Sequence, residues 1–164
     1  MKKKILFLTV VMALLLIQIC CAAPVRDVPR EDIAIGGIYF GATENYVRSI
    51  YGNPDKVSYR AGNYPEPKDL IVWRYGETFE IIFDSEDDKV YKVKSTGKNG
   101  LKTPVDFCVG NNIFSVQKYY DGRCSFSKNN GKYYLRIHSN GGIYMMFTAT
   151  PDAEIKEISL YPEV

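Results

Sequence analysis

The sequence predicts an α+β protein of two tandem units, each a helix packed on an antiparallel sheet of about four strands. Three observations lead there. An apolar pattern recurs 69 positions along the chain, several segments alternate with period two, and Asn- and Gly-rich stretches separate them.

The repeat is clearest at the start of each unit. In the run Gly36–Tyr51, Ile38 is answered by Phe107, Phe40 by Val109 and Gly41 by Gly110. Val47, Ile50 and Tyr51 are answered by Val116, Tyr119 and Tyr120. The segments that follow keep one order. Ile71–Tyr75 corresponds to Tyr133–Ile137, Phe79–Phe83 to Ile143–Phe147, and Val90–Val93 to Ile155–Ile158.

Each unit opens with a helix. Thr43 can accept from the free amides of a first turn, and Gly52 can supply the stop. Between them Tyr46, Val47, Ile50 and Tyr51 form one apolar face. In the second unit Asn111 or Asn112 caps a helix that presents Ile113, Val116, Tyr119 and Tyr120. Strands follow, with Lys56–Arg60 and Arg123–Ser127 as the first of each set and Ala61–Lys68 as a long loop. Ser85–Asp88, Lys128–Gly131 and Ser139–Gly142 carry turn chemistry, because Asn and Gly tolerate the positive φ of tight hairpins. The Val90 strand breaks alternation against Val93, which predicts a bulge.

Lys2–Lys4 precede an apolar run from Ile5 to Ile19, the pattern of a secretory signal ending near Ala22. The predicted organisation is therefore a signal peptide at 1–22, a first unit at 23–97 and a second at 98–164. Adjacent Cys20 and Cys21 leave a lipid-anchored N-terminus as an alternative. No later stretch is long and apolar enough to span a membrane. Without the signal, 18 basic residues face 19 acidic ones. That balance gives no electrostatic argument for nucleic acid. Cys108 and Cys124 remain, and an even pair in an exported chain predicts a disulfide contributing on the order of 3 kcal/mol. A free, reactive thiol is the rival reading.

Ile38-x-Phe40-Gly41-x-Thr43-x-x-x-Val47-x-x-x-Tyr51-Gly52-x-Pro54 resembles the signature of the SmpA/OmlA (BamE-like) superfamily. Trp73 and Tyr75 on one strand, and a strand ending at Phe83, follow in that family's order. The tandem arrangement is similar to that of the β-lactamase inhibitor protein family. This resemblance implies two helix-plus-sheet units sharing one concave face, a non-enzymatic role in clasping a partner or supporting an envelope assembly, and a bridge tying Cys108 to Cys124.

Strand parity selects the candidate interface. If Trp73, Phe79, Ile81, Phe83, Leu135, Ile143, Met145 and Phe147 face the helices, then Arg74, Glu80, Ile82, Tyr134, Arg136, His138, Tyr144 and Met146 face out. Aromatics, Met and Arg are enriched at protein interfaces, although tyrosines also stabilise sheets simply by pairing across strands.

Nothing in the sequence has the spacing of an active site, a metal site or a cofactor site. His138 is the sole histidine and has no elbow-borne serine to serve. Asp84, Glu86, Asp87 and Asp88 lack calcium-loop spacing and read as a solvated turn. Gly36, Gly37 and Gly41 lack the Lys-Ser/Thr of a phosphate loop. The sequence thus favours an exported, non-catalytic module that binds another protein. A structural envelope component, and a small-ligand binder or enzyme, are the alternatives.

Overall fold

The computed structural model describes residues 27–163; the predicted signal peptide and the Cys20/Cys21 alternative lie outside them. A short 3-10 turn, Arg30–Asp32, leads into a small hairpin of β1 (Ala34–Ile35) and β2 (Ile38–Tyr39). Helix α1 (Glu44–Tyr51) precedes β3 (Lys56–Ala61), β4 (Asp69–Tyr75), β5 (Phe79–Asp84) and β6 (Lys89–Ser95). Helix α2 (Ile113–Tyr119) precedes β7 (Cys124–Asn129), β8 (Lys132–Ser139), β9 (Ile143–Ala149) and β10 (Ile155–Pro162).

Local chemistry places the ends of these elements as expected. Thr43 Oγ1 accepts from the Tyr46 amide at 3.2 Å, and Asn112 Oδ1 accepts from the Phe114 amide at 2.9 Å. Gly52, at φ +71°, closes α1 by donating to the Arg48 carbonyl at 2.8 Å. Gly36 and Gly37 turn the chain between β1 and β2 at φ +58° and +81°. Any Cβ at Gly36 would collide with the Tyr51 hydroxyl, which donates to the Gly36 carbonyl at 2.6 Å. The expected bulge is present. Ile82 pairs with Lys92 but Phe83 pairs with Val90, so Tyr91 is the extra residue and Val90 and Val93 both reach the core.

The α+β arrangement of two helix-on-sheet units is not what the chain forms. The protein is mostly β, and its eight long strands make one antiparallel sheet in the order β3-β4-β5-β6-β10-β9-β8-β7. The join is β6 with β10, where Val93 faces Leu160, Lys94 faces Ser159, and Ser95 faces Ile158. One continuous core then runs beneath the whole sheet, from Trp73 and Phe83 through Val93, Leu160 and Ile158 to Phe147 and Leu135. The helices are too short to cover separate sheets, at 8 and 7 residues. Helix α1 fully buries only Val47, and Tyr46, Ile50 and Tyr119 of the predicted apolar faces are exposed.

Cys108 and Cys124 are free thiols, so the predicted bridge is not formed. Cys108 is held locally instead, its amide donating to Asn111 Oδ1 at 2.9 Å and its thiol lying 3.6 Å from the same oxygen. Cys124 packs at the margin of the core opposite Ile137.

Candidate functional site

One face of the sheet carries the core, and period-two alternation sends every second residue to the other. Register places all eight sequence-selected residues on that second face. Arg74 pairs with Glu80, Val72 with Ile82, Arg136 with Met146, His138 with Tyr144 and Tyr134 with Thr148. The set falls into two groups separated by β6 and β10.

The group on β4 and β5 is largely closed. Ile82 was expected to be available for contact, yet it is only 3% exposed. It packs with Leu70, Val72 and Tyr91 in a second apolar cluster. The Ala61–Lys68 stretch forms a closed loop beside them, with Gly62 donating to the Lys68 carbonyl. Its Glu66 accepts from the two terminal guanidinium nitrogens of Arg60 at 2.7 and 3.0 Å and from the Asn63 amide at 3.3 Å. The Arg60 hydrogen bond holds the Glu66 carboxyl below its ordinary pKa against the opposing effect of burial. The Glu66 charge also acts on Tyr91 and Lys92, which sets the loop beside the apolar cluster. Arg74 is neutralised by Glu80 at 3.0 Å, and Lys94 by Glu157 at 3.1 Å. Arg74, Glu80 and Lys94, together with Lys56 and Glu77, line a depression of about 510 Å³ in which Arg74 and Lys94 each have an acidic partner.

The group on β8 and β9 is a row of rings and cations. His138 meets Tyr144 edge-on at 4.4 Å, Tyr144 lies 5.9 Å from Tyr161, and the Lys92 ammonium lies 5.8 Å from the Tyr161 ring. Such edge and cation contacts each contribute on the order of 1 kcal/mol. This packing corrects a second expectation, because Tyr144 is 7% exposed and is a wall of the row rather than a free contact. The carboxylate of Glu163 beside its hydroxyl pushes the Tyr144 pKa up. The Tyr161 hydroxyl donates to Met146 Sδ at 3.6 Å. His138 is half-buried, and its carbonyl accepts from the Val28 amide at 2.9 Å.

Beside this row the surface opens. Ser125, Ser127, Asn129, Tyr134, Arg136 and Met146 line a trough of about 380 Å³ at the β7 edge. Arg136 stands 5.1 Å over the Tyr144 ring and makes no ion pair among the described residues.

Ser125, Ser127, Asn129, Lys92, Lys94, Glu157 and Tyr161 were absent from the sequence-selected set. Parity along β7 would have supplied the first three. The others lie on strands whose pairing joins distant parts of the chain, and the repeat pattern reaches only Ile158, short of Tyr161.

The sheet also separates the groups that could serve nucleophilic chemistry. Cys124 shares the core-side parity of Leu135 and Ile137, whereas His138 is on the opposite side of β8. Burial, with a smaller effect from Asp121, pushes the Cys124 thiol up and disfavours its thiolate. Among the described residues no group of three or more His, Cys, Asp or Glu side chains could hold a metal ion.

These features define a mostly-β protein whose large antiparallel sheet has, among the described residues, no helix or second sheet over the face opposite its core. No family model matches the chain, and no curated protein matches it. Among solved structures it is similar to an extracellular protein containing a SCP domain from Bacillus anthracis str. Ames, with a TM-score of 0.51 and 11% identity. The likeness covers 74% of this chain and 43% of that one, so the chain spans less than half of that protein's length. At this identity the likeness is one of fold, and it has no bearing on the resemblance carried by the Ile38–Pro54 motif. No helix among the described residues is long and apolar enough to cross a membrane.

Proposed function

We propose that this chain is an exported, non-catalytic module that binds another protein through the open face of its sheet, chiefly on β7–β9. The observation that carries the reading is the exposed part of that face. Tyr134, Arg136 and Met146 stand around an uncovered trough, in a composition that protein interfaces favour. The Lys2–Ile19 pattern supports export, as does the fold-level likeness to an extracellular protein. The SmpA/OmlA-like motif is consistent with a binding role in the envelope. A catalytic role has less support, because Cys124 and His138 occupy opposite sides of the sheet.

The test is capture from an exported-protein fraction, using the chain without residues 1–22 beside its Tyr134→Ala/Met146→Ala variant. Both substitutions leave the core untouched, and circular dichroism confirms that the variant folds. The reading expects a partner that the parent retains and the variant loses. Equal retention by both would move the contact away from this face.

A further inference from the structure

The β7 edge and the trough beside it have a more specific chemistry than a general binding face, and this inference rests on the reading above. Strand β7 is the last strand of the sheet and pairs only with β8, so its outer backbone edge is open among the described residues. Ser125 stands directly opposite Arg136, and Ser127 opposite Tyr134. Neither serine side chain makes a hydrogen bond within the described residues, and both are exposed. They are short, so they leave a gap across β7 through which the long Arg136 side chain can be reached from the edge.

The trough contains a guanidinium, two hydroxyls, an amide and a phenol, and no carboxylate. Glu163 lies near Tyr144 but does not line the trough. The opposite end of the face differs, since Arg74 and Lys94 each have an acidic partner there. Lys128 does not add a second charge to the trough, because its ammonium lies against Tyr133 at 3.3 Å from the hydroxyl and 4.7 Å from the ring centre. One positive charge matches one carboxylate, and the planar fork of arginine fits a carboxylate with two parallel hydrogen bonds.

We propose that this edge accepts an extended acidic segment of a partner protein, added as a strand beside β7 with one Asp or Glu carboxylate on Arg136. Neighbouring strands in a sheet lie roughly 4.8 Å apart, so an added strand lies about two spacings from β8. Arg136 leaves its place over the Tyr144 ring and turns toward β7, where it meets an inward-reaching glutamate over Ser125. Backbone pairing supplies attachment, and the carboxylate supplies selection.

The test is an NMR titration of the ¹⁵N-labelled chain without residues 1–22. Its probe is an end-capped peptide of alternating threonine and valine with one central glutamate, and its control carries glutamine there. The glutamate peptide is expected to shift the β7 amides and the Arg136 Nε signal. The glutamine peptide should bind at least tenfold more weakly, and Arg136→Gln should remove that difference. Arg136→Lys should restore it only in part. Equal binding of both peptides at β7 would overturn the carboxylate pairing while leaving the protein-binding reading to its own capture test. Shifts centred elsewhere, or none, would overturn the site. So would inorganic phosphate moving Arg136 as strongly as the glutamate peptide does at equal concentration.

Discussion

The two ends of the open sheet face share an alternating sequence pattern but are different surfaces. On β3–β6, Ile82, Val72 and Leu70 are withdrawn into an apolar cluster, and Arg60, Arg74 and Lys94 each have an acidic partner. On β7–β9 the rings pack among themselves, the trough remains uncovered, and Arg136 has no counter-charge among the described residues. Parity decides which residues reach a face. What lies over the face and which charges are already answered decide whether those residues can bind.

The largest effect should separate two residues of that face that look alike in sequence. Ile82→Ala removes a nearly fully buried side chain and should cost about 2–4 kcal/mol of stability. Met146→Ala, at a partly exposed position, should cost clearly less, while weakening partner capture. Urea unfolding of the two variants measures the difference. Equal losses would mean that the second end is as closed as the first.

Arginine substitutions sharpen the same contrast at a smaller scale. Arg136→Gln should reduce partner retention at least tenfold with little change in unfolding midpoint. Arg74→Gln should leave retention near that of the parent and change stability by up to about 1 kcal/mol, as expected for an exposed ion pair. Titration of a captured partner against both variants checks this ordering. A larger binding loss at Arg74 would reverse the assignment of the two ends.

The smallest effect concerns the loop beside the first end. Because Arg60 lowers the folded-state pKa of Glu66, this carboxylate stabilises the protein above its ordinary value of 4.5. That contribution is lost as pH falls through the depressed folded value. Glu66→Gln should therefore be less stable than the parent at pH 7, by roughly 0.2–1 kcal/mol. The gap should close in strong acid. Denaturant midpoints at pH 7 and at a pH below the depressed Glu66 value give the comparison, and a gap that persists there would exclude the Arg60 pair as its source.

The sequence made some levels of this fold easy to read. Caps at Thr43 and Asn112, the Gly52 stop, the Val90 bulge and the parity of the eight face residues all follow from short-range rules. The pairing of β6 with β10 does not, because nothing local in Val93 or Leu160 states which distant strand each will meet. The same gap concealed the single sheet, the contribution of Tyr161 and the continuity of the core. Helical spacing overstated the apolar faces of α1 and α2, since Tyr46 and Tyr119 have the right period on helices too short to bury them. The closure of Ile82 depended on its packing with Leu70, Val72 and Tyr91 across three strands. The Cys108–Cys124 pairing rested on cysteine count and compartment, which do not fix whether the two thiols meet.

The central claim is that contact is made at the uncovered end of this face. A photo-crosslinking residue at position 134, compared with one at position 59 on the opposite side of the sheet, tests it most directly. Tyr59 is 76% exposed, so simple accessibility favours it over the half-buried Tyr134. The account predicts a partner adduct from position 134 and none from position 59. An adduct from position 59 alone would contradict it and move the contact to the helix side of the β3 edge.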